Sequence, residues 1–183
     1  MRNLALFILL LTLSSCISNR SLVHYYSKTY GATGLNNPLD LNKSYKNLDT
    51  AKERQLFSCL GASYKHNWDE KKNKISDSAQ INLSYDGDTR LWVRVHSQDT
   101  NTSFVLRVKN KGHYLSVKRK LRIWPIPFFY FYWESKQILF NDQSGRLVSV
   151  SRKMSTGWVV FMVAGNDANS TSVFESISRA GKK

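Results

Sequence analysis

The side chains in this sequence best suited to chemistry are aromatic rings and basic groups, and they adjoin each other. Residues 121–133 read L-R-I-W-P-I-P-F-F-Y-F-Y-W, and seven of the last ten are aromatic. Rings at this density suit an apolar or amphipathic ligand, because ligand pockets are mostly apolar with a few polar anchors. Trp124, Phe128, Tyr130, Tyr132 and Trp133 are the candidate ligand-binding positions. The alternative is that the same rings fill the core and bind nothing. Just upstream stand Arg107, Lys109, Lys118, Arg119, Lys120 and Arg122, with Lys111 among them. Residues 101–133 contain no Asp or Glu. Nothing local neutralises these cations, so they are candidates for an anionic surface, where each basic residue is worth about 1 kcal/mol. A plain solubilising face is the competing reading.

Groups for catalysis are not assembled in this way. His24, His66, His96 and His113 are scattered, without H-x-x-x-H or C-x-x-C spacing. There is no G-x-S-x-G elbow and no glycine-rich phosphate loop. Most carboxylates fall in predicted turns. The expectation is a non-catalytic protein without metal or cofactor.

The chain begins Met-Arg, runs through an apolar stretch at residues 4–13, and reaches Leu13-Ser14-Ser15-Cys16. A basic start, an apolar core and small residues before a cut site describe a secretory signal. The last four residues resemble the lipobox of bacterial lipoproteins. In that family the peptide is cut before the Cys, whose sulfur carries a diacylglycerol. The resemblance implies a signal peptide at residues 1–15, lipidation of Cys16 and a lipid-anchored tether over residues 16–40. Ile17, rather than Asp, follows the Cys. For a Gram-negative source the resemblance implies the outer membrane. Cys59 is then left without a disulfide partner and reads as a buried, inert thiol. Stability must come from a core, and 42% hydrophobic residues suffice to build one.

The formal charge is +14. In a cytosolic protein that balance would point to nucleic acid. Behind an export signal the available anions are phospholipid head groups, lipopolysaccharide and acidic polysaccharide, so no nucleic-acid partner is expected. The expected partners are the membrane, through the N-terminal anchor, and anionic lipid or lipopolysaccharide. The functional expectation is a membrane-anchored cell-envelope lipoprotein that binds a lipid or an anionic envelope component. Its alternative is a structural lipoprotein with a filled core and no small ligand.

The elements that must position these residues are mostly strands. One helix is expected over residues 50–60, with Thr50 and Glu53 as a capping box and Gly61 as its stop. Apolar residues then alternate with polar ones, as in Ile81, Leu83, Tyr85, then Leu91, Val93, Val95, then Phe104, Leu106, Val108. Leu115 and Val117 continue the pattern. Pro125 and Pro127 predict an irregular crossing, followed by a short aromatic strand at residues 128–133. Glu134-Ser135 predicts a turn, and residues 167–183 read as a frayed polar tail. Three further strands are expected at residues 136–141, 147–151 and 158–163.

About eight strands joined by short turns make an antiparallel meander, which must curl or close to hide its edges. The expected fold is mainly β: a meander closing into a small barrel over residues 41–165, one N-terminal helix, and a polar tail at residues 166–183. In outline this resembles the lipocalin and fatty-acid-binding architecture, and the resemblance implies one small interior ligand. The lipocalin G-x-W signature is absent; the first strand reads Asn42-Lys43-Ser44-Tyr45.

Overall fold

Alternating burial along each strand shows which side of the sheet became the core. In the computed structural model, residues 41–64, 75–98, 100–112, 114–126, 129–159 and 162–177 are described. At residues 118–120, 124–126, 129–130, 158–159 and 162–163 the description covers the backbone only. The proposed signal peptide, Cys16, the tether, His113, Pro127 and Phe128 lie outside the described residues.

The chain runs β1 (Ser44–Lys46), α1 (Leu56–Tyr64), β2 (Gln80–Tyr85), β3 (Arg90–His96), β4 (Asn101–Asn110), β5 (Leu115–Ile126), β6 (Phe129–Asn141), β7 (Leu147–Val159), β8 (Met162–Phe174) and β9 (Ser176–Ile177). The nine strands form one antiparallel sheet in the order β8-β7-β6-β5-β4-β3-β2-β1-β9. Among the described residues the fold is mainly β with one short helix, as the period-2 pattern requires.

The sheet curls until its two ends meet. Only Glu175 separates β8, at one edge, from β9, at the other. The Lys46 N–H donates to the Glu175 carbonyl at 3.0 Å, and the Thr50 N–H to the Val173 carbonyl at 2.9 Å. Among the described residues, however, β8 pairs only with β7. The expected closure into a lipocalin-like barrel does not occur.

The inner face of β2–β5 carries Ile81, Leu83, Tyr85, Leu91, Val93, Val95, Phe104, Leu106, Val108, Leu115 and Val117, all buried. Leu56, Phe57 and Leu60 of α1 are buried in the same core, together with Leu41 and Tyr45. The Phe57 ring meets Phe104 edge-on at 5.9 Å, and Tyr64 stacks on Phe104 at 4.9 Å.

The helix starts later than its sequence suggests. Thr50 and Glu53 make no capping box, because residues 49–54 are taken by a tight turn. Asp49 Oδ1 accepts the N–H groups of Glu53 at 2.8 Å and Arg54 at 3.2 Å. Lys52 sits at φ 58°. The cap of α1 is Asn47, whose side-chain oxygen accepts the Phe57 N–H at 3.0 Å. This satisfies an otherwise orphaned donor of the first turn from ten residues away. Gly61 lies inside α1, buried, and is not its stop.

The largest correction concerns β5 to β8. The expected crossing at the prolines is the end of a long strand. Trp124 pairs with Phe131, Pro125 with Tyr130 and Ile126 with Phe129. Beyond Val117, β5 has no described partner on its β4 side, so Pro125 occupies an edge that needs no N–H, where proline is tolerated. The expected turn at residues 134–135 is also absent, and β6 runs unbroken through it. Glu134 is buried there because Tyr132 and Lys136 satisfy its carboxylate. Residues 166–174 belong to β8 and are not a frayed tail. They pair with β7 from Ser155 to Leu147, and the buried Val173 and Phe174 fix the end of the strand.

Candidate functional site

Two surfaces gather the groups that could act on a partner. Both are set by the point where β5 parts from β4.

β4 and β5 share only three pairs, from Val108 with Val117 to Asn110 with Leu115. Then β5 bulges. Val117 pairs with Gln137 and Lys120 with Ser135, so two residues, Lys118 and Arg119, stand opposite the single Lys136. One extra residue reverses the side-chain parity of everything beyond it. Lys120 therefore falls on the register side of Val117, where unbroken alternation along β5 would have put it on the opposite side. The predicted basic patch is divided. Arg107 and Lys109 lie on the outer face of β4, while Lys120 and Arg122 occupy the opposite register side farther along β5.

The structure adds other cations to the outer patch. Arg90 is paired directly opposite Arg107. Alternation in β3 puts Arg90, Trp92 and Arg94 on the exposed face while Leu91, Val93 and Val95 are buried. Arg107 and Lys109 are exposed as well, and Trp92 keeps 38% of its surface. A shallow groove of about 640 Å³ runs between Arg90, Arg107 and Lys109, with the hydroxyl residues Thr89 and Ser116 in its walls and no acidic residue lining it. Among the described ion pairs, none uses Arg90, Arg94, Arg107 or Lys109.

Asp86 lies in the adjoining β2–β3 turn. Its carboxylate accepts the N–H groups of Asp88 at 2.9 Å and Arg90 at 3.0 Å. These donors hold it below its ordinary value. Two guanidinium groups directly across a ladder repel each other, which destabilises the pair. Each presents a planar fork that matches phosphate or carboxylate oxygens. Trp92 supplies an exposed ring next to them. The sequence reading singled out Arg107 and Lys109 but not Arg90 and Arg94. Their signal was the R-L-W-V-R alternation, which gains meaning only when the hairpin register brings Arg90 to Arg107.

The second surface is the far half of the long hairpins. Past the bulge, β5 to β8 leave the core as a four-stranded arm. Its terminal cross-strand row is Ile126, Phe129, Val159 and Met162, followed inward by Pro125, Tyr130, Trp158 and Val163. The next rows are Trp124, Phe131, Gly157 and Ala164, then Ile123, Tyr132, Thr156 and Gly165. None of these sixteen residues is charged. Ile123 is 44% exposed and Phe131 36%. Of the predicted ligand-binding residues, Trp124, Tyr130, Tyr132 and Trp133 share this arm. The second aromatic cluster, at Trp158, was read from sequence as part of a separate strand and missed as part of the site.

Below these rows the arm is charged. The next rows carry Lys120, Arg122, Lys136, Arg152 and Lys153 against two acids, Glu134 and Asp167. Both acids are engaged. Lys136 meets Glu134 at 2.9 Å. Arg152 grips Asp167 through Nε, at 2.9 Å from Oδ1, and through Nη2, which donates to Oδ2. That fork holds the Asp167 carboxyl below its ordinary range and raises Arg152.

A polar cleft of about 560 Å³ separates α1 from the base of the arm, with Ser58, Ser63, Ser135, Ser151, Lys153 and Ser170 in its walls. Gln137 is buried and bridges α1 to the arm. Its side-chain oxygen accepts from the Ser63 hydroxyl, and its amide donates to Ser149 at 2.9 Å. Cys59, in the cleft wall, is half-buried and forms no disulfide among the described residues. Among the described residues no three His, Cys, Asp or Glu side chains converge as a metal site, and no helix is long and apolar enough to cross a membrane. No protein-family model matches the chain, and no curated protein or solved structure matches it.

Proposed function

We propose that this chain is a non-catalytic, membrane-anchored lipoprotein of the cell envelope that binds anionic envelope material on its outer face. The anchor is Cys16, and for a Gram-negative source the location is the outer membrane. The reading is carried by one observation: Arg90 and Arg107 stand opposite each other across a groove with no acidic lining, with Lys109 beside them. An anion lying between two guanidinium groups relieves their repulsion and accepts hydrogen bonds from both. Phosphate and carboxylate groups, as in lipopolysaccharide or anionic phospholipid, have that chemistry.

The buried side chains favour binding at the surface over binding inside. Tyr45, Leu56, Leu60, Leu91 and Leu115 are fully buried and belong to one cluster among the described residues. A carrier with an enclosed lipid cavity needs open space among such side chains. The same clustering favours, as the second reading, a structural lipoprotein without a small ligand.

Co-sedimentation with lipopolysaccharide separates the two. Wild type is compared with Arg90→Glu/Arg107→Glu/Lys109→Glu, all three exposed positions where substitution leaves the core intact. The proposed function predicts that the wild type pellets and that the triple variant stays largely in the supernatant. Equal pelleting by both folded proteins leaves the structural reading.

A further inference from the structure

The charge-free end of the arm lies several residues of strand away from the cationic groove, so the groove cannot explain it. Four consecutive cross-strand rows without a charge would be costly to leave in water, and Ile123 and Phe131 are visibly exposed there.

We propose that the end of this arm is a membrane-insertion site: the charge-free rows of β5, β6, β7 and β8 enter one leaflet of a lipid bilayer. Three observations favour lipid over a protein partner. The first is depth. Strands advance about 3.4 Å per residue, so four rows reach about 10–14 Å. The hydrocarbon core of a bilayer is about 30 Å thick, and a spanning strand needs about 9–11 residues. The charge-free part fits one leaflet and cannot cross two.

The second is the order of side-chain types along the arm. Ile126, Phe129, Val159 and Met162 form the outermost row. Trp124, Tyr130, Tyr132, Trp133 and Trp158 follow behind it, as the aromatic residues of membrane proteins do at head-group level. The third is charge. The rows behind the rings hold five basic residues and two acids, and both acids are already paired. The surplus cations sit where anionic head groups would be. Backbone pairing is complete within the arm except at its outer edges along β5 and β8. Lipid-exposed edges are costly at the centre of a bilayer, which also limits entry to a shallow depth.

The test uses the full chain with Cys16→Ser and Cys59→Ser, so that no acyl chain is added and one new thiol can be labelled. A polarity-sensitive fluorophore is attached at Ile123→Cys or Phe131→Cys and, as a control, at the exposed Ala51→Cys, which lies in neither the groove nor the arm. Vesicles of phosphatidylcholine, with and without phosphatidylglycerol, carry bromine on their acyl chains. The expected result is a blue shift and bromine quenching at positions 123 and 131, none at 51, and tighter binding with phosphatidylglycerol. Ile123→Asp combined with Phe131→Asp should lower vesicle partitioning roughly tenfold or more, with thermal melting confirming that the variant is folded. If vesicles bind while the labels at 123 and 131 stay open to aqueous quenchers, the insertion is wrong and groove-mediated binding stands. If those labels are shielded without lipid, in a species of twice the mass, the arm is covered by a second copy and the proposal is likewise overturned. Loss of lipopolysaccharide binding in the groove variant with unchanged insertion would separate the two sites.

Discussion

Asp167 and Arg152 show how one ion pair in the arm couples to pH. The Arg152 fork lowers the Asp167 carboxyl below its ordinary value of 3.8. A depressed carboxylate contributes stability that is present above its unfolded pKa and is lost as the pH falls through its folded pKa. Asp167 is substantially exposed, so solvent screens the pair and the effect is modest. The arm of the wild type should therefore loosen only on acidification below about pH 4. Asp167→Asn should melt lower than wild type at neutral pH, and the gap should close in strong acid. Melting curves over that range check this; a gap that widens with acid would mean the pair does not act as described. Glu134 is the more buried acid of the arm. Its satisfaction by Tyr132 and Lys136 explains why a charge sits in the middle of β6 without breaking it.

At the scale of elements, α1 seals the core through Phe57, which is 4% exposed and packs edge-on against Phe104 of β4. Phe57→Ala should cost about 3–5 kcal/mol. Denaturant unfolding measures it, and a loss under about 1 kcal/mol would place the helix at the periphery. The alternating strands were legible in the sequence because each has one buried and one wet face. Leu91, Val93 and Val95 announce β3 without help from any other segment. The helix boundary was not legible, because Thr50 and Glu53 match a capping box while the real cap, Asn47, bonds to Phe57 across an intervening turn. Nor was the continuity of β6. Proline and Glu-Ser signals suggest breaks, and only the unpaired edge of β5 and the ligation of Glu134 remove them. β8 escaped notice because much of it is exposed, so no alternation marks it.

For the molecule as a whole, the curled sheet separates a body with a buried apolar core from a projecting arm and places the cationic groove at their junction. The bulge at residues 118–119 sets this arrangement, since it divides the basic segment between two sides of the sheet. The rings of residues 121–133 were readable as functional candidates, but their place at the end of an arm depends on pairing with β7 and β8, more than twenty residues away.

The central claim is that the outer face of β3 and β4 binds an anion. The most direct measurement is the affinity of the full chain for lipopolysaccharide as ionic strength rises, for wild type and for Arg90→Glu/Arg107→Glu/Lys109→Glu. Screening lengths fall to about 8 Å at physiological salt and about 3 Å at 1 M. The account predicts wild-type binding that weakens steeply with salt and a variant that binds weakly throughout with little salt dependence. Wild-type affinity that is indifferent to salt, or matched by the variant, would contradict it.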